Sequence, residues 1–249
     1  MKRLFTTEQQ RQEDEYVFPY HYRGLFSEEQ EMWDLEYLDY LHVVGKKLSP
    51  FNGQKILDVG CGDGRLFYEL RHEKIIPWGV DHSHRAIQFA QGFNPHVQFR
   101  VGGIEVLPPK EMFDQITMIE VLEHIPPAQV AKVVGAVARR LKKGGKLLVT
   151  VPSIRRKVIP KHYQHFTERT LRDVLGTHLH VQSVYGYGKM PGKRLFNLFR
   201  RITLLFLPMK DILPFFQWGK RWTRLWYRTH LSIGKPDECT GLLAECIAL

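Results

Sequence analysis

Residues 55 to 65 read Lys55-Ile56-Leu57-Asp58-Val59-Gly60-Cys61-Gly62-Asp63-Gly64-Arg65, an apolar run that breaks into glycines at alternate positions and resumes as a helical pattern from Gly64. Glycines at a strand-to-helix turn let the backbone approach a ligand closely and accept positive φ angles, and the helix N-terminus favours an anionic group. The spacing G-x-G-x-G differs from the G-x-G-x-x-G of a nicotinamide-binding turn. Taken alone, it is compatible with a plain glycine-rich βα turn that binds nothing.

Two acids flank the turn. Asp58 lies inside the strand, where a buried carboxylate needs a cation or ordered donors. Asp81 closes the next apolar run, in Val80-Asp81-His82-Ser83, where it can accept hydrogen bonds from ribose hydroxyls at the edge of a doubly wound sheet. A ligand with an ammonium, a carboxylate and a ribose satisfies this set, and S-adenosylmethionine is such a ligand.

Outward from the turn, apolar runs alternate with helical segments. Candidate strands lie at 55 to 60, 77 to 81, 97 to 102, 113 to 121, 145 to 152 and 180 to 187, with a last one in Gly241-Leu242-Leu243-Ala244-Glu245-Cys246-Ile247-Ala248-Leu249. Helices are predicted from Ser27 to before Pro50, from Gly64, from Ser83, from Pro127 to Leu141 and from Glu168 to Leu175, the last capped by Thr167. Repeated βαβ units imply an α/β fold with a parallel sheet covered by helices on both faces.

Composition bounds the alternatives. With 43% hydrophobic, 12% aromatic and 25% charged residues in 249, the chain can bury a core of one α/β domain, which excludes global disorder, collagen and coiled coil. Cys61, Cys239 and Cys246 lack the spacing of a zinc knuckle or disulfide framework, which favours a reducing compartment. No signal-peptide core opens the chain, and the longest apolar run, Ile202 to Met209, is far short of the ~20 residues of a membrane span. The expectation is a cytoplasmic protein, soluble or peripheral at the inner face of a membrane.

Ile56 to Arg65, Val80 to Ser83, Ile119-Glu120-Val121-Leu122-Glu123-His124-Ile125-Pro126 and Leu141 to Pro152 closely resemble, in that order, the successive motifs of class I S-adenosylmethionine-dependent methyltransferases. The likeness covers about residues 50 to 188 plus the terminal strand. It implies a Rossmann-like, doubly wound, mostly parallel sheet of seven strands with a reversed final hairpin. By position it implies that Gly60, Cys61, Gly62 and Gly64 line the methionine moiety, that Asp58 lies near its ammonium, and that Asp81 with His82 holds the ribose. The acid that often follows the third strand to bind adenine is replaced by Gly103, so adenine recognition passes to Gly103 and the Ile104 backbone.

The fourth strand ends in Glu120-Val121-Leu122-Glu123-His124, and strand ends on the cofactor face are where catalytic groups are expected. Glu120, Glu123 and His124, joined by His165 or His162 from the Lys161-His162-Tyr163-Gln164-His165-Phe166 stretch, form an oxygen-rich set able to hold a hard cation such as Mg²⁺. The pattern resembles the E-x-x-E-H plus distant His of ubiquinone-biosynthesis O-methyltransferases and of small-RNA terminal 2′-O-methyltransferases. In both groups the metal lowers the pKa of a hydroxyl. The same motif occurs in metal-independent members, where Glu120 would contact the methionine end and His124 or His165 would be a general base. No N-P-P-Y or D-P-P-Y follows the strand, which argues against exocyclic base amines. No cysteine except Cys61 lies near the cofactor face, which argues against covalent pyrimidine chemistry.

Net charge is +10, but unevenly spread: residues 1 to 138 carry −6, residues 139 to 235 carry +19 and residues 236 to 249 carry −3. The most aromatic part of the basic stretch is an insertion before the last strand, residues 189 to 236, too long for an ordinary loop. Beside an arm and helix (1 to 49) and a methyltransferase domain (50 to 188 plus 237 to 249), it makes a third unit. It reads as short amphipathic helices broken at Pro208, Pro214 and Gly219. Leu, Phe and Trp interleaved with Arg and Lys suit a membrane interface or a lipid-linked acceptor better than nucleic acid, whose footprint is less apolar. A soluble cap over the active site and an RNA-binding surface are the other readings, and loss of catalysis in a cofactor-binding interaction module is a third function class.

Overall fold

The computed structural model describes residue 10, residues 13–211 and residues 214–249. The first nine residues of the predicted arm, together with Arg11 and Gln12, and Ile212 and Leu213 of the insertion lie outside them.

Eight strands form one sheet: β1 (Lys55–Val59), β2 (Ile76–Asp81), β3 (Gln98–Val101), β4 (Phe113–Ile119), β5 (Leu141–Pro152), β6 (His180–Lys189), β7 (Ile233–Gly234) and β8 (Cys239–Ile247). Their order is β3-β2-β1-β4-β5-β8-β6-β7. The strands from β3 to β5 run parallel, and β8 slots antiparallel between β5 and β6. This is the predicted α/β fold with one strand more than the seven expected. The addition is the two-residue β7, where the returning insertion pairs with the outer edge of β6 (Gly186 with Gly234, Tyr187 with Ile233). Over these two residues the edge no longer offers unpaired backbone groups to another chain.

The helices are α1 (Arg23–Phe26), α2 (Glu28–Trp33), α3 (Leu35–Leu48), α4 (Arg65–Glu69), α5 (His84–Phe93), α6 (Pro127–Ala138), α7 (Glu168–Leu175), α8 (Lys193–Leu205) and α9 (Phe215–Trp226). Alternation along β1 divides its side chains between two cores. Leu57 and Val59 join Val130, Val134, Leu171 and Leu175 of α6 and α7, while Ile56 joins Leu41, Val44 and Leu48 of α3 and Phe67 of α4. The single helix expected from Ser27 is interrupted at Asp34, whose carboxylate draws Gln30 and Arg23 side chains, a local polar alternative to continued helix.

Within the insertion, α8 and α9 form a hairpin on α2 and α3, sealed by buried Leu35, Phe196, Tyr227 and Leu231. Gly219, expected to break a helix, lies inside α9. A Cβ there would come within 2.7 Å of the Thr203 side chain, so the glycine serves the close helix crossing.

Candidate active site

Because β1, β2 and β4 run parallel, their C-terminal ends deliver the glycine turn, Asp81 and the Glu120–His124 segment to one edge of the sheet. The three glycines of the turn are left-handed, with φ of 74° at Gly60, 53° at Gly62 and 79° at Gly64. Any side chain at Gly60 or Gly62 would also collide, with Val121 or with the Tyr16 hydroxyl respectively, each at 2.5 Å. Asp58 is buried and accepts a hydrogen bond from Thr117 Oγ1 at 2.6 Å; burial raises its pKa to about 7. Asp81 accepts from the Gly62 amide at 2.9 Å and the Ser83 amide at 2.8 Å, which fixes it against the turn. Cys61 is buried, its thiol pushed up by burial, so it lines the turn as an inert small side chain. His82 follows at the start of the β2–α5 connection. Gly103 donates its amide to Glu105 at 2.9 Å, and Ile104 begins a short 3₁₀ turn.

The arm lies over this edge. Glu13 accepts from Ser83 Oγ at 2.6 Å, and His21 Nδ1 meets Asp63 Oδ1 at 2.8 Å. Lys161 pairs with Glu15 at 2.9 Å, which joins the arm to the loop carrying His162 and His165. Sequence reading missed Tyr16, His21 and the buried Asp63, since their meeting depends on the path of a segment with no periodic signal. The Cys-Gly-Asp-Gly string did place Asp63 inside the turn, the one local hint available.

Glu120 adopts φ 53°, rare for a residue with a side chain, and its carboxylate accepts from Tyr187 Oη of β6 and from Arg156 at 3.0 Å. Glu123 is different. It is fully buried, neither carboxylate oxygen has a hydrogen-bond partner among the described residues, and burial beside Glu120 raises its pKa. One ligand atom each from Glu123, His124 and His162 lie within 4.8 Å of one another. The predicted ligands Glu120 and His165 are outside this trio: Glu120 is held by Tyr187 and Arg156, and His165 stands behind His162.

Hydrogen bonds fix the imidazole tautomers. His124 Nδ1–H donates to the Lys161 carbonyl at 3.1 Å, and His165 Nδ1–H donates to the Arg156 carbonyl at 3.0 Å. His165 Nε2 is then an acceptor, so His162 Nδ1–H donates to it at 2.8 Å. In the neutral ring Nε2 of His162 carries the lone pair, and Nε2 of His124 lies 3.8 Å from the Glu123 carboxylate. Burial and the neighbouring imidazoles lower the His162 pKa to about 4, which keeps it neutral at physiological pH.

A profile of the methyltransferase domain family matches residues 31–184. Two curated relatives are ubiquinone biosynthesis O-methyltransferases, from Paracidovorax citrulli (35% identical over 105 residues, 39% of this chain and 43% of that protein) and from Xylella fastidiosa (35% over 119 residues, 45% of this chain and 46% of that protein). The chain thus matches less than half the length of these relatives. Among solved structures, the N-methyltransferase NodS of Bradyrhizobium japonicum in complex with S-adenosylhomocysteine aligns with a TM-score of 0.57 at 16% identity, over 98% of this chain and 99% of that one. The [4+2]-cyclase SpnF aligns with a TM-score of 0.58 at 16% identity, over 84% and 80%. These two share the fold.

Proposed function

We infer the reaction from a premise the comparisons establish, that this chain belongs to the class I S-adenosylmethionine-dependent methyltransferases, and we read that reaction as methyl transfer to a hydroxyl oxygen of a hydrophobic or lipid-linked small molecule. The observation that carries the oxygen reading is the buried Glu123, whose carboxylate oxygens make no hydrogen bond among the described residues and lie 3.8 Å from His124 Nε2 at the nearest, with His162 beside them at the cofactor edge. The likeness to ubiquinone biosynthesis O-methyltransferases, confined to part of the chain, points the same way.

S-adenosylmethionine, when bound, supplies an activated methyl group on a sulfonium. In the glycine turn a Cβ at Gly60 or Gly62 would meet Val121 or the Tyr16 hydroxyl, so these glycines let Val121 and the arm's Tyr16 close against the backbone that would receive its methionine end. Asp58 and Asp81 supply carboxylates for its ammonium and ribose hydroxyls. Tyr187 and Arg156 hold Glu120 beside the methionine end, and Tyr40, stacked on Tyr187, closes that wall. The protein's main task is then alignment of the acceptor oxygen in line with the methyl carbon and exclusion of water by the arm.

Glu123, His124 and His162 would hold a divalent cation, which supplies, when bound, positive charge that lowers the pKa of an acceptor hydroxyl. A buried carboxylate without a donor is the group such a charge would satisfy. Two imidazoles and one carboxylate suit Mn²⁺ or Zn²⁺ better than the Mg²⁺ expected from an oxygen-rich set. His165 positions His162 through their shared hydrogen bond. Without a cation, His124, whose imidazole stands beside the Glu123 carboxylate, is the candidate general base.

Incubation with S-adenosylmethionine and prenylated phenols or catechols, read by mass spectrometry, should give a methyl ether. Chelator should abolish the product, and Glu123→Gln should reduce it at least about a hundredfold while raising the melting temperature of the metal-free protein, because a buried uncompensated carboxylate is removed. Full activity after chelation removes the cation and leaves His124 as the base. Cofactor binding without methyl ether formation on any hydroxyl acceptor overturns the oxygen reading.

A further inference from the structure

The outer faces of α8 and α9 repeat one pattern. Leu195, Leu198, Ile202 and Leu205 on α8, and Phe215, Trp218, Trp222 and Leu225 on α9, follow the same three-four-three spacing, and all eight are exposed, from 45% at Ile202 to 76% at Leu205. Such spacing puts each set on one stripe of its helix. The inner stripes hold Phe196 and Thr203, and Phe216, Gly219 and Thr223, all buried. Phe199 of α8 meets Trp226 of α9, and with Trp218, Trp222 and Leu225 they line an apolar groove of about 580 Å³ between the helices. Each helix thus carries an exposed apolar stripe, over lengths of about 20 Å and 18 Å, and the groove joins Phe199 of α8 to the α9 stripe.

The charges divide in the same way. Most cations of the hairpin are spent inward: Lys193 and Arg200 meet Glu36, Lys210, Lys220 and Arg224 meet Glu28 and Glu31, and Arg228 meets buried Asp39. Among the described residues Arg194, Arg201 and Arg221 make no ion pair. Arg194 and Arg201 border one flank of the α8 stripe, and Arg221 takes the equivalent flank on α9. From 190 to 235 the sequence holds one acid, Asp211.

We propose that this hairpin is a docking surface for an anionic lipid bilayer, lying in the headgroup plane with the two stripes dipping into the acyl boundary. The proposal goes beyond the methylation reading and does not depend on it. An apolar stripe with Trp and Phe, bordered by arginines, is what an interfacial helix requires, and no helix of the described residues is long and apolar enough to cross a membrane. A second copy is a poorer occupant, because an isologous contact would set these arginine flanks against one another with little acid to offset them. Nucleic acid is poorer still, since its phosphates would find an apolar stripe where most of the cations face inward.

The test is co-sedimentation of the full chain with phosphatidylcholine vesicles with and without phosphatidylglycerol, together with tryptophan emission and quenching by brominated lipid. Binding should require the anionic lipid, weaken with salt, and shift Trp emission to the blue. Trp218→Ser with Trp222→Ser should weaken it at least about tenfold, and Arg194→Glu with Arg221→Glu should remove the salt-sensitive part. These side chains are exposed, so circular dichroism and cofactor binding should not change. The proposal is overturned if the chain ignores anionic vesicles, if the double tryptophan variant binds them normally, or if the variant instead dissolves a dimer or abolishes binding to RNA. Methyl transfer to a soluble acceptor reads the catalytic proposal separately, because it does not need the bilayer.

Discussion

Asp58 has one side-chain partner, Thr117, and a pKa near 7 because burial disfavours its charge. In the unfolded chain the same carboxylate titrates near 4. Between those values the native state holds a proton that the unfolded state lacks, so the contribution of Asp58 to the stability of the ligand-free protein is full below about pH 4 and is lost as pH rises through about 7. A cationic ammonium favours the ionised carboxylate, so the direction reverses for ligand binding. Affinity for S-adenosylhomocysteine, measured by calorimetry, should rise from about pH 6 to about pH 8 with a proton released on binding at the lower end. Asp58→Asn should flatten that profile and weaken binding. An affinity that is flat across the same range would place the ammonium elsewhere.

At the scale of elements, the α8–α9 crossing depends on Gly219. The Thr203 side chain lies where a Cβ would stand, at 2.7 Å, and Thr203 itself is 3% exposed, so the helices cannot absorb a side chain without moving apart. Gly219→Val should destabilise the protein by about 1–3 kcal/mol in urea unfolding. Gly92, with nothing within 4 Å of its Cβ position, is the control and should tolerate alanine. This glycine also shows where reading stops. An isolated glycine in an aromatic stretch reads as a break, since neither its partner helix nor the crossing is visible in the local sequence. The strands were legible for the opposite reason: Leu57, Val80, Ile116 and Val149 lie in runs buried on both faces, and such runs stay apolar whatever packs on them. The glycine turn, Asp81 and the Glu123–His124 pair were legible because chemistry and spacing coincide over a few residues. That His162 rather than His165 stands beside Glu123 was not, because two histidines three apart differ only in which way the loop after β5 turns.

Across the whole molecule, the +19 stretch and the acidic first half meet chiefly at one seam. Glu28 and Glu31 of α2 receive Lys210, Lys220 and Arg224, while Glu36 and Asp39 of α3 receive Lys193, Arg200 and Arg228. Much of the basic excess of the insertion is therefore a latch that seats the hairpin on α2 and α3. The same α3 carries Tyr37 and Tyr40, stacked on His21 of the arm and on Tyr187 behind Glu120, so one helix touches the hairpin, the arm and the candidate site. Partly exposed pairs contribute little singly, but three cations around two carboxylates form a network in which reversal adds repulsion to loss. Glu28→Lys with Glu31→Lys should raise hydrogen exchange across 193–226 and lower the melting temperature by a few degrees, an effect of about 1–2 kcal/mol that high salt partly restores. Exchange in β1 and β4, and cofactor binding there, should stay near wild type, because those strands hold their own cores. A collapse of protection throughout the sheet would instead make the hairpin and the catalytic domain one folding unit, with the seam as part of its core.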